Sequence, residues 1–544
     1  MKPTSSTAWA ARRRGVASED GFTMVLALGV LMITLLLTAA LFTMVQGDAS
    51  LSRADLNGKR AYAAAQAGVQ AYLNGLNTNS SSSAWWETCA NDTTNGPVQM
   101  PGATTGVTYQ YQPVIACSAT SPVGTLIDPT TGTLRMEFKG NAGTQSRTIV
   151  AGFRTLSPLS FLWYTVHETV DTSIDSNCGA FYKDVSARNL SSFEGECGIN
   201  WVSGDVMNGP MYTQDQFLVN AGDSPVFGRP GSTDAIASQI GSSDPRAICV
   251  ASNCYGASVS NPQPNPTPTV SLPSDNSNLL TDAHNHGAVL YGTTTLTLGV
   301  DSSGHYVATG ENCPSSSSTA TCAPESIDLS QNPIIYVANS GSACSASYVP
   351  KSVTYLKNTS GYYYGPCGDL YVSGTYGVPL TLNAADDIIV TGNLTNVADS
   401  NPTGTANPTG LATLGLVANE HVRVMHDGLV SGSCPSSASN PNVTIDAAIL
   451  TLQHSFFVDN YQCGGMPQGL LTVHGAIIQW FRGIVGQVNS SGYLKNYNYD
   501  DRLQVMLPPY LFDLQNTEWS VFRETECSGV APASSTNSCS YTGS

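Results

Sequence analysis

From Phe22 to Val45 the chain runs without a charged side chain. As a helix those residues span about 36 Å, enough for a hydrocarbon core about 30 Å thick. From Gln46 the pattern changes: Leu51, Ala54, Ala61, Ala65, Val69, Tyr72 and Leu76 recur three or four positions apart and form an amphipathic stripe. No proline interrupts 22–77, and the polar tract Asn77–Ser83 is a stop signal. These features predict one helix over 22–77, roughly 84 Å long, with Gly47, Gly58 and Gly68 as possible bends.

From Ser80 onward short β-branched and aromatic runs alternate with Gly, Pro, Asn and Ser, a strand-and-turn pattern. Residues 80–160 read as a small sheet whose apolar face covers the amphipathic half of the helix. Residues 161–510 read as a large β domain, followed by a C-terminal segment, 511–544. Four Leu/Val-rich modules, in 368–395, 411–425, 443–458 and 469–486, begin their cores about 25–32 residues apart. That irregular period predicts a parallel β-solenoid, with tandem β-sandwiches as the alternative. Pro262, Pro264, Pro266, Pro268 and Pro273 mark an extended loop, and Cys313 and Cys322 bracket a Ser/Thr-rich one.

Composition narrows the setting. Only 11% of the 544 residues are charged, and the net charge is −17. Residues 1–21 carry four basic side chains (Lys2, Arg12, Arg13, Arg14) and two acidic ones (Glu19, Asp20), which leaves −19 for the rest. Such a surface repels phosphates, so nucleic acid is excluded as a partner. The basic leader places the N-terminus in the cytoplasm and the C-terminus outside. All 14 cysteines follow the helix: Cys89, Cys117, Cys178, Cys197, Cys249, Cys254, Cys313, Cys322, Cys344, Cys367, Cys434, Cys463, Cys527 and Cys539. An even count outside a membrane segment reads as disulfides in an oxidising compartment, with neighbours in sequence as the simplest pairing. No C-x-x-C pair supports zinc.

A cleaved secretory signal would have a shorter apolar stretch, and a plain uncleaved anchor is the other alternative. The run begins abruptly after Glu19-Asp20-Gly21, as Phe22-Thr23-Met24-Val25. This resembles the prepilin signal, and "AYAAAQAGVQAYL" after "GFTMVLALGVLMITLLL" resembles the PilX-type minor pilins of type IV pili. The resemblance implies cleavage by a prepilin peptidase between Gly21 and Phe22, methylation of Phe22, and packing of the retained helix against other pilins. The glutamate common five residues into mature pilins is replaced by Leu26, as in tip pseudopilins. The segments Gly204-Asp205 with Gly209-Pro210, Leu380 to Asp387, Gly475 to Gly483, and Pro508-Pro509 with Trp519 resemble large pilus-assembly surface proteins, for which they imply architecture rather than chemistry.

Nucleophile elbows, H-E-x-x-H, Walker and EF-hand patterns are absent from the sequence. Asp282, His284 and His286 read as a solvated loop; as metal ligands they would share one face of a strand. Asp386-Asp387 and Asp500-Asp501 are candidate calcium positions or turn caps. His167-Glu168 marks the end of an aromatic strand. No cluster of carboxylates with basic residues is evident along the solenoid modules. The expectation is a non-enzymatic type IV minor pilin or tip pseudopilin without cofactor or metal, at the cell surface or pilus. The alternatives are an adhesin using Tyr362-Tyr363-Tyr364 and Tyr493 to Tyr499 to bind surface glycan or host protein, and a membrane-anchored polysaccharide-active enzyme.

Overall fold

The computed structural model describes residues 22–78, 93–114, 127–128, 133–178, 197–238, 258–262, 272–341, 344, 353–426, 442–463, 469–511 and 519–527, apart from residues 95, 156, 220–222, 260, 320, 354, 488–489 and 505 within those spans. The chain is mostly β, with one long N-terminal helix. The apolar run and the amphipathic stripe form a single α-helix, Phe22–Thr78.

The second half of that helix lies on a small antiparallel sheet. In spatial order its strands are Val98–Gln99, Val107–Pro113, Thr133–Ala142, Gln145–Thr155 and Trp519–Glu526, with Ile127–Asp128 beside Thr133–Ala142. The stripe residues Ala65, Val69, Tyr72 and Leu76 are buried against Leu134, Met136, Phe138, Ile149, Ala151 and Phe153. The Tyr72 ring meets Tyr111, Phe138 and Phe153 at centroid distances of 5.2, 5.9 and 5.1 Å, in the edge-on and tilted arrangements that aromatic quadrupoles favour. Leu51, at the start of the stripe, is exposed.

Small residues set the distance between helix and sheet. A Cβ on Gly140 would lie 1.9 Å from the Ala61 carbonyl oxygen and 2.5 Å from the Ala65 nitrogen. Only a glycine admits that approach. Gly68 is a contact position too: a Cβ there would meet the Tyr109 and Phe138 rings at 3.0 and 3.2 Å.

The large domain sits between two neighbouring strands of the small sheet. The chain leaves at Thr155 and returns at Trp519, and these two residues are register partners. Inside the large domain the strands stack in parallel. One ladder runs Ala288–Tyr291, Ile334–Ala338, Leu380–Ala384, Leu414–Ala418, Val443–Thr451, Leu470–Phe481. It continues with Trp163–His167, Met211–Thr213 and Ala235–Ser238. A second parallel ladder joins Thr293–Val300, Leu370–Tyr376, Ile388–Asn396, Val422–Val424 and Phe456–Val458. Antiparallel pairing enters where Tyr306–Cys313 folds between Thr293–Val300 and Ala323–Asp328.

Strands such as Val443–Thr451 and Leu380–Ala384 are buried at every position although apolar and polar residues alternate in them, so Thr381, Asn383, Thr444 and Asp446 are buried too. The stack is out of chain order: the first strand of the domain, Trp163–His167, pairs with Leu470–Phe481, far along the chain. Disulfides join Cys178–Cys197, Cys313–Cys322 and Cys344–Cys367, all neighbours in sequence, and Cys463 and Cys527 are also disulfide-bonded. Cys89, Cys117, Cys249, Cys254, Cys434 and Cys539 lie outside the described residues.

Gly140→Ala should lower stability by about 2–3 kcal/mol, because backbone atoms on both sides must move apart. Gly299→Ala, where a Cβ meets nothing within 4 Å, should stay within about 0.5 kcal/mol. Thermal unfolding of the two variants in detergent checks the pair, and equal effects would refute the contact.

Candidate functional site

The first candidate surface is the apolar half of the helix. Met24–Met44 is long and apolar enough to cross a membrane, and none of it is buried within the chain. Polar atoms in this stretch are satisfied locally. The hydroxyls of Thr34, Thr38 and Thr43 donate to the carbonyls of Leu31, Thr34 and Ala40 at 2.9, 2.8 and 2.8 Å, so no side-chain hydroxyl needs water there. The helix fits a single-pass membrane anchor or a signal sequence. It begins at Phe22, while Gly21 and the basic leader lie outside the described residues.

The second candidate lies where the early and late strands of the large domain meet. The Arg482 guanidinium donates to Glu168 Oε2 at 3.1 Å and to the Ile199 carbonyl at 2.7 Å, and sits 3.8 Å from the centre of the Trp201 ring. Glu168 Oε1 accepts from Trp163 Nε1 at 2.9 Å. Lys495 Nζ reaches both Asp205 oxygens at 2.8 Å. Burial pushes the Lys495 ammonium down from its ordinary range, against the Asp205 carboxylate that holds its charge. Beside these pairs a cleft of about 350 Å³ is lined by Asn200, Asp205, Tyr461, Gln487, Tyr493 and Lys495, among others. Cations and carboxylates therefore do cluster here, contrary to the expectation for the solenoid modules. The partners are hundreds of residues apart in the chain, so no local motif announces them.

Two histidines form a third constellation. The His421 and His454 rings stack at 4.6 Å. His454 is held between acids, with Nδ1 2.8 Å from Asp171 Oδ2 and Nε2 2.8 Å from Glu420 Oε2. His421 Nδ1 lies 3.3 Å from Asp387 Oδ1, and Arg423 Nε lies 3.0 Å from Asp387 Oδ2. Burial works against a charged His454, but the hydrogen bonds to Asp171 and Glu420 outweigh it and raise the ring to about 10. Burial would likewise raise Asp171; hydrogen bonds from His421 and His454 hold it well below the ordinary carboxylate range instead. Burial, then the charges of Asp369 and Asp387, pushes Asp386 up to about 9.

Three groups among the described residues have metal-ligand spacing: Asp171, His421 and His454; Cys344, Cys367 and Asp386; Asp399, Asp446 and His474. The sulfurs of the second group are joined to each other. In the first, both nitrogens of His454 already face carboxylates. In the third, Asp399 Oδ2 is buried without a hydrogen-bond partner.

Other sequence candidates are placed differently from expectation. Asp282, His284 and His286 lie on the helix Ser277–His286, not on a strand. Leu279 and Ala283, four apart, are the buried face of that helix and were a helical signal. There His284 Nδ1 meets the Leu280 carbonyl at 2.8 Å, and the His286 ring stacks on Tyr510. Asp387 pairs with Arg423, Asp500 with Arg502, and Asp501 with Arg229. Tyr493, Tyr497 and Tyr499 are core residues, whereas Tyr362 is exposed. His167 ends its strand as expected.

No family model and no curated protein sequence matches the chain. Among solved structures it is similar to the competence-associated pilin ComZ from Thermus thermophilus, with a TM-score of 0.27 and 12% identity, over 86% of this chain and 97% of that one. A likeness at that level carries no argument about this chain.

The histidine pair predicts a pH response. A ring raised in the folded state stabilises the fold fully below its unfolded pKa, and that contribution is lost as pH rises through the folded value. The thermal midpoint should therefore fall between about pH 6.5 and about pH 10. In His454→Gln the slope over that interval should flatten, and an unchanged slope would refute the assignment.

Proposed function

We propose that this chain is a pilin-like assembly and surface-display component, a minor pilin or tip pseudopilin rather than an enzyme. The observation that carries the reading is one uninterrupted helix with two kinds of surface. Met24–Met44 is apolar and uncovered, while Ala65 to Leu76 is locked onto a sheet. An uncovered apolar surface of that length is stable only in lipid or against similar helices. Cleavage between Gly21 and Phe22 by a prepilin peptidase, loss of the basic leader and methylation of Phe22 would let the helix pass from the bilayer to a filament of other pilins. The PilX-type sequence resemblance and Leu26, in place of the usual glutamate, favour a minor or tip position. The parallel registers of the large domain favour the solenoid reading over tandem sandwiches, and this domain would be displayed outside the cell.

A second reading is an adhesin, favoured by the cleft beside Asp205 and Lys495. Its Asn200 and Gln487 amides suit the hydroxyls of a sugar. Gln487→Ala should then weaken retention of the full chain on immobilised glycans.

Mass spectrometry of the mature protein tests the main reading. The expected N-terminus is Phe22 carrying one added methyl group, and Gly21→Val should leave the leader attached. Any other N-terminus in the wild-type chain sinks the processing step.

A further inference from the structure

We propose that Asp399, Asp446 and His474 form a binding site for one divalent transition-metal ion of the Zn²⁺ type, which fastens the segment 397–413 to the parallel stack. Asp446 and His474 are register partners on the strands Val443–Thr451 and Leu470–Phe481, so their side chains leave the sheet side by side. Asp399 comes from the segment that follows Ile388–Asn396. Their ligand atoms all lie within 4.8 Å of one another. His474 Nδ1 is 2.8 Å from Asp446 Oδ1 and 3.6 Å from Asp399 Oδ2. Donors about 2.0–2.2 Å from a zinc ion lie about 3–3.5 Å from each other, so these separations need only small adjustment.

The remaining polar atom of each side chain is tied back by the protein. His474 Nε2 lies 3.2 Å from the Gly404 carbonyl, an acceptor only, which places a proton on Nε2. Asp446 Oδ2 accepts from the Asn396 backbone N–H at 2.8 Å, and Asp399 Oδ1 from that of Asn401 at 2.9 Å. These contacts orient Nδ1, Asp446 Oδ1 and Asp399 Oδ2 toward one point, as outer contacts do around metal ligands. With Nε2 protonated, a neutral His474 would aim the Nδ1 lone pair at a carboxylate oxygen, so something positive belongs between them. A proton on Nδ1 serves Asp446 but leaves Asp399 Oδ2 without a donor, although the Asp399 side chain is only 1% exposed. A divalent ion serves all three and balances both carboxylates. One imidazole with two carboxylates suits Zn²⁺ or Mn²⁺ better than Ca²⁺ or Cu⁺.

The position gives the ion a structural purpose. The 397–413 segment is held elsewhere by hydrogen bonds spread along it: the Thr444 hydroxyl to the Pro402 carbonyl at 2.7 Å, the Asn496 amide to the Gly404 carbonyl at 3.0 Å, the Asn407 amide to the Tyr499 carbonyl at 2.6 Å, and the Arg502 guanidinium to the Thr409, Gly410 and Ala412 carbonyls at 3.2, 2.9 and 3.3 Å. Its Leu411 packs on the cluster of Tyr72 and Phe153 beneath the long helix. A metal at Asp399 would pin the segment that bridges the large domain and the helix-bearing sheet.

The test uses the full chain in detergent, stripped by chelator and dialysed against micromolar Zn²⁺. Elemental analysis should find one ion per chain, and the thermal midpoint should rise with the metal. Asp399→Asn and His474→Gln should each weaken Zn²⁺ binding by at least about tenfold and abolish that rise, while His454→Gln keeps both. Asp399→Asn is nearly isosteric and should fold without metal, so its loss of binding is separable from misfolding. Wild-type protein that binds no ion, with His474 doubly protonated by NMR at pH 7, would overturn the proposal. So would full binding in both site variants.

Discussion

At Gly140 the strand backbone presses so close to the long helix that no side chain fits between them. Every larger feature of the molecule is referred to that contact. It fixes the helix against the small sheet, and Ala61 and Ala65 serve the same close approach from the helix side. Above it, Tyr72 fills the space among Tyr111, Phe138 and Phe153. The strands Gln145–Thr155 and Trp519–Glu526 then bracket the point where the chain departs into the large domain and comes back. An insertion between adjacent strands costs little when its two ends are already held side by side, because loop-closure entropy grows only slowly with length.

The large domain has a register problem, since its first strands stack beyond its later ones. The buried and half-buried ion pairs answer it. Glu168 with Arg482, Asp205 with Lys495, Asp171 with His454, and Arg229 with Asp501 each join a residue before 240 to one after 450. Ion pairs of this kind contribute modestly to net stability, because desolvation offsets attraction, but a mispaired register would leave a charge buried alone at several kcal/mol. The apolar ladder is tolerant of slippage by comparison, since Leu, Ile and Val recur at equivalent positions of many strands. The pairs thus read as register marks for the interlock of early and late segments.

The sequence speaks clearly wherever the signal is local. The helix was legible because its two halves differ in composition and its stripe recurs every three to four residues. The disulfides Cys178–Cys197, Cys313–Cys322 and Cys344–Cys367 were legible as neighbours, and the strands of the large domain as short runs of alternating apolar residues. Signals that need the fold were hidden. Nothing in Trp519–Glu526 says that it returns to the first sheet, and nothing around Glu168 points to Arg482. Asp282 to His286 read as a solvated loop or a strand because their polar alternation drew attention from Leu279 and Ala283. Tyr493 to Tyr499 looked like exposed rings because Asn and Lys lie between them, yet the tyrosines at 493, 497 and 499 are in the core.

The charge distribution joins these points. A chain with only 22 Lys and Arg places Arg423, Arg482, Lys495 and Arg502 inside its large domain. Each is paired with an internal carboxylate, so these pairs are neutral, and the acidic outer face comes from the chain's excess of 39 Asp and Glu over 22 Lys and Arg. That surface stays hydrated and resists sticking to its copies, while the uncovered apolar helix does the opposite and demands a covering. The two halves of the molecule therefore have opposite solvent requirements, and the Gly140 contact is where the helix that carries one is joined to the sheet that carries the other.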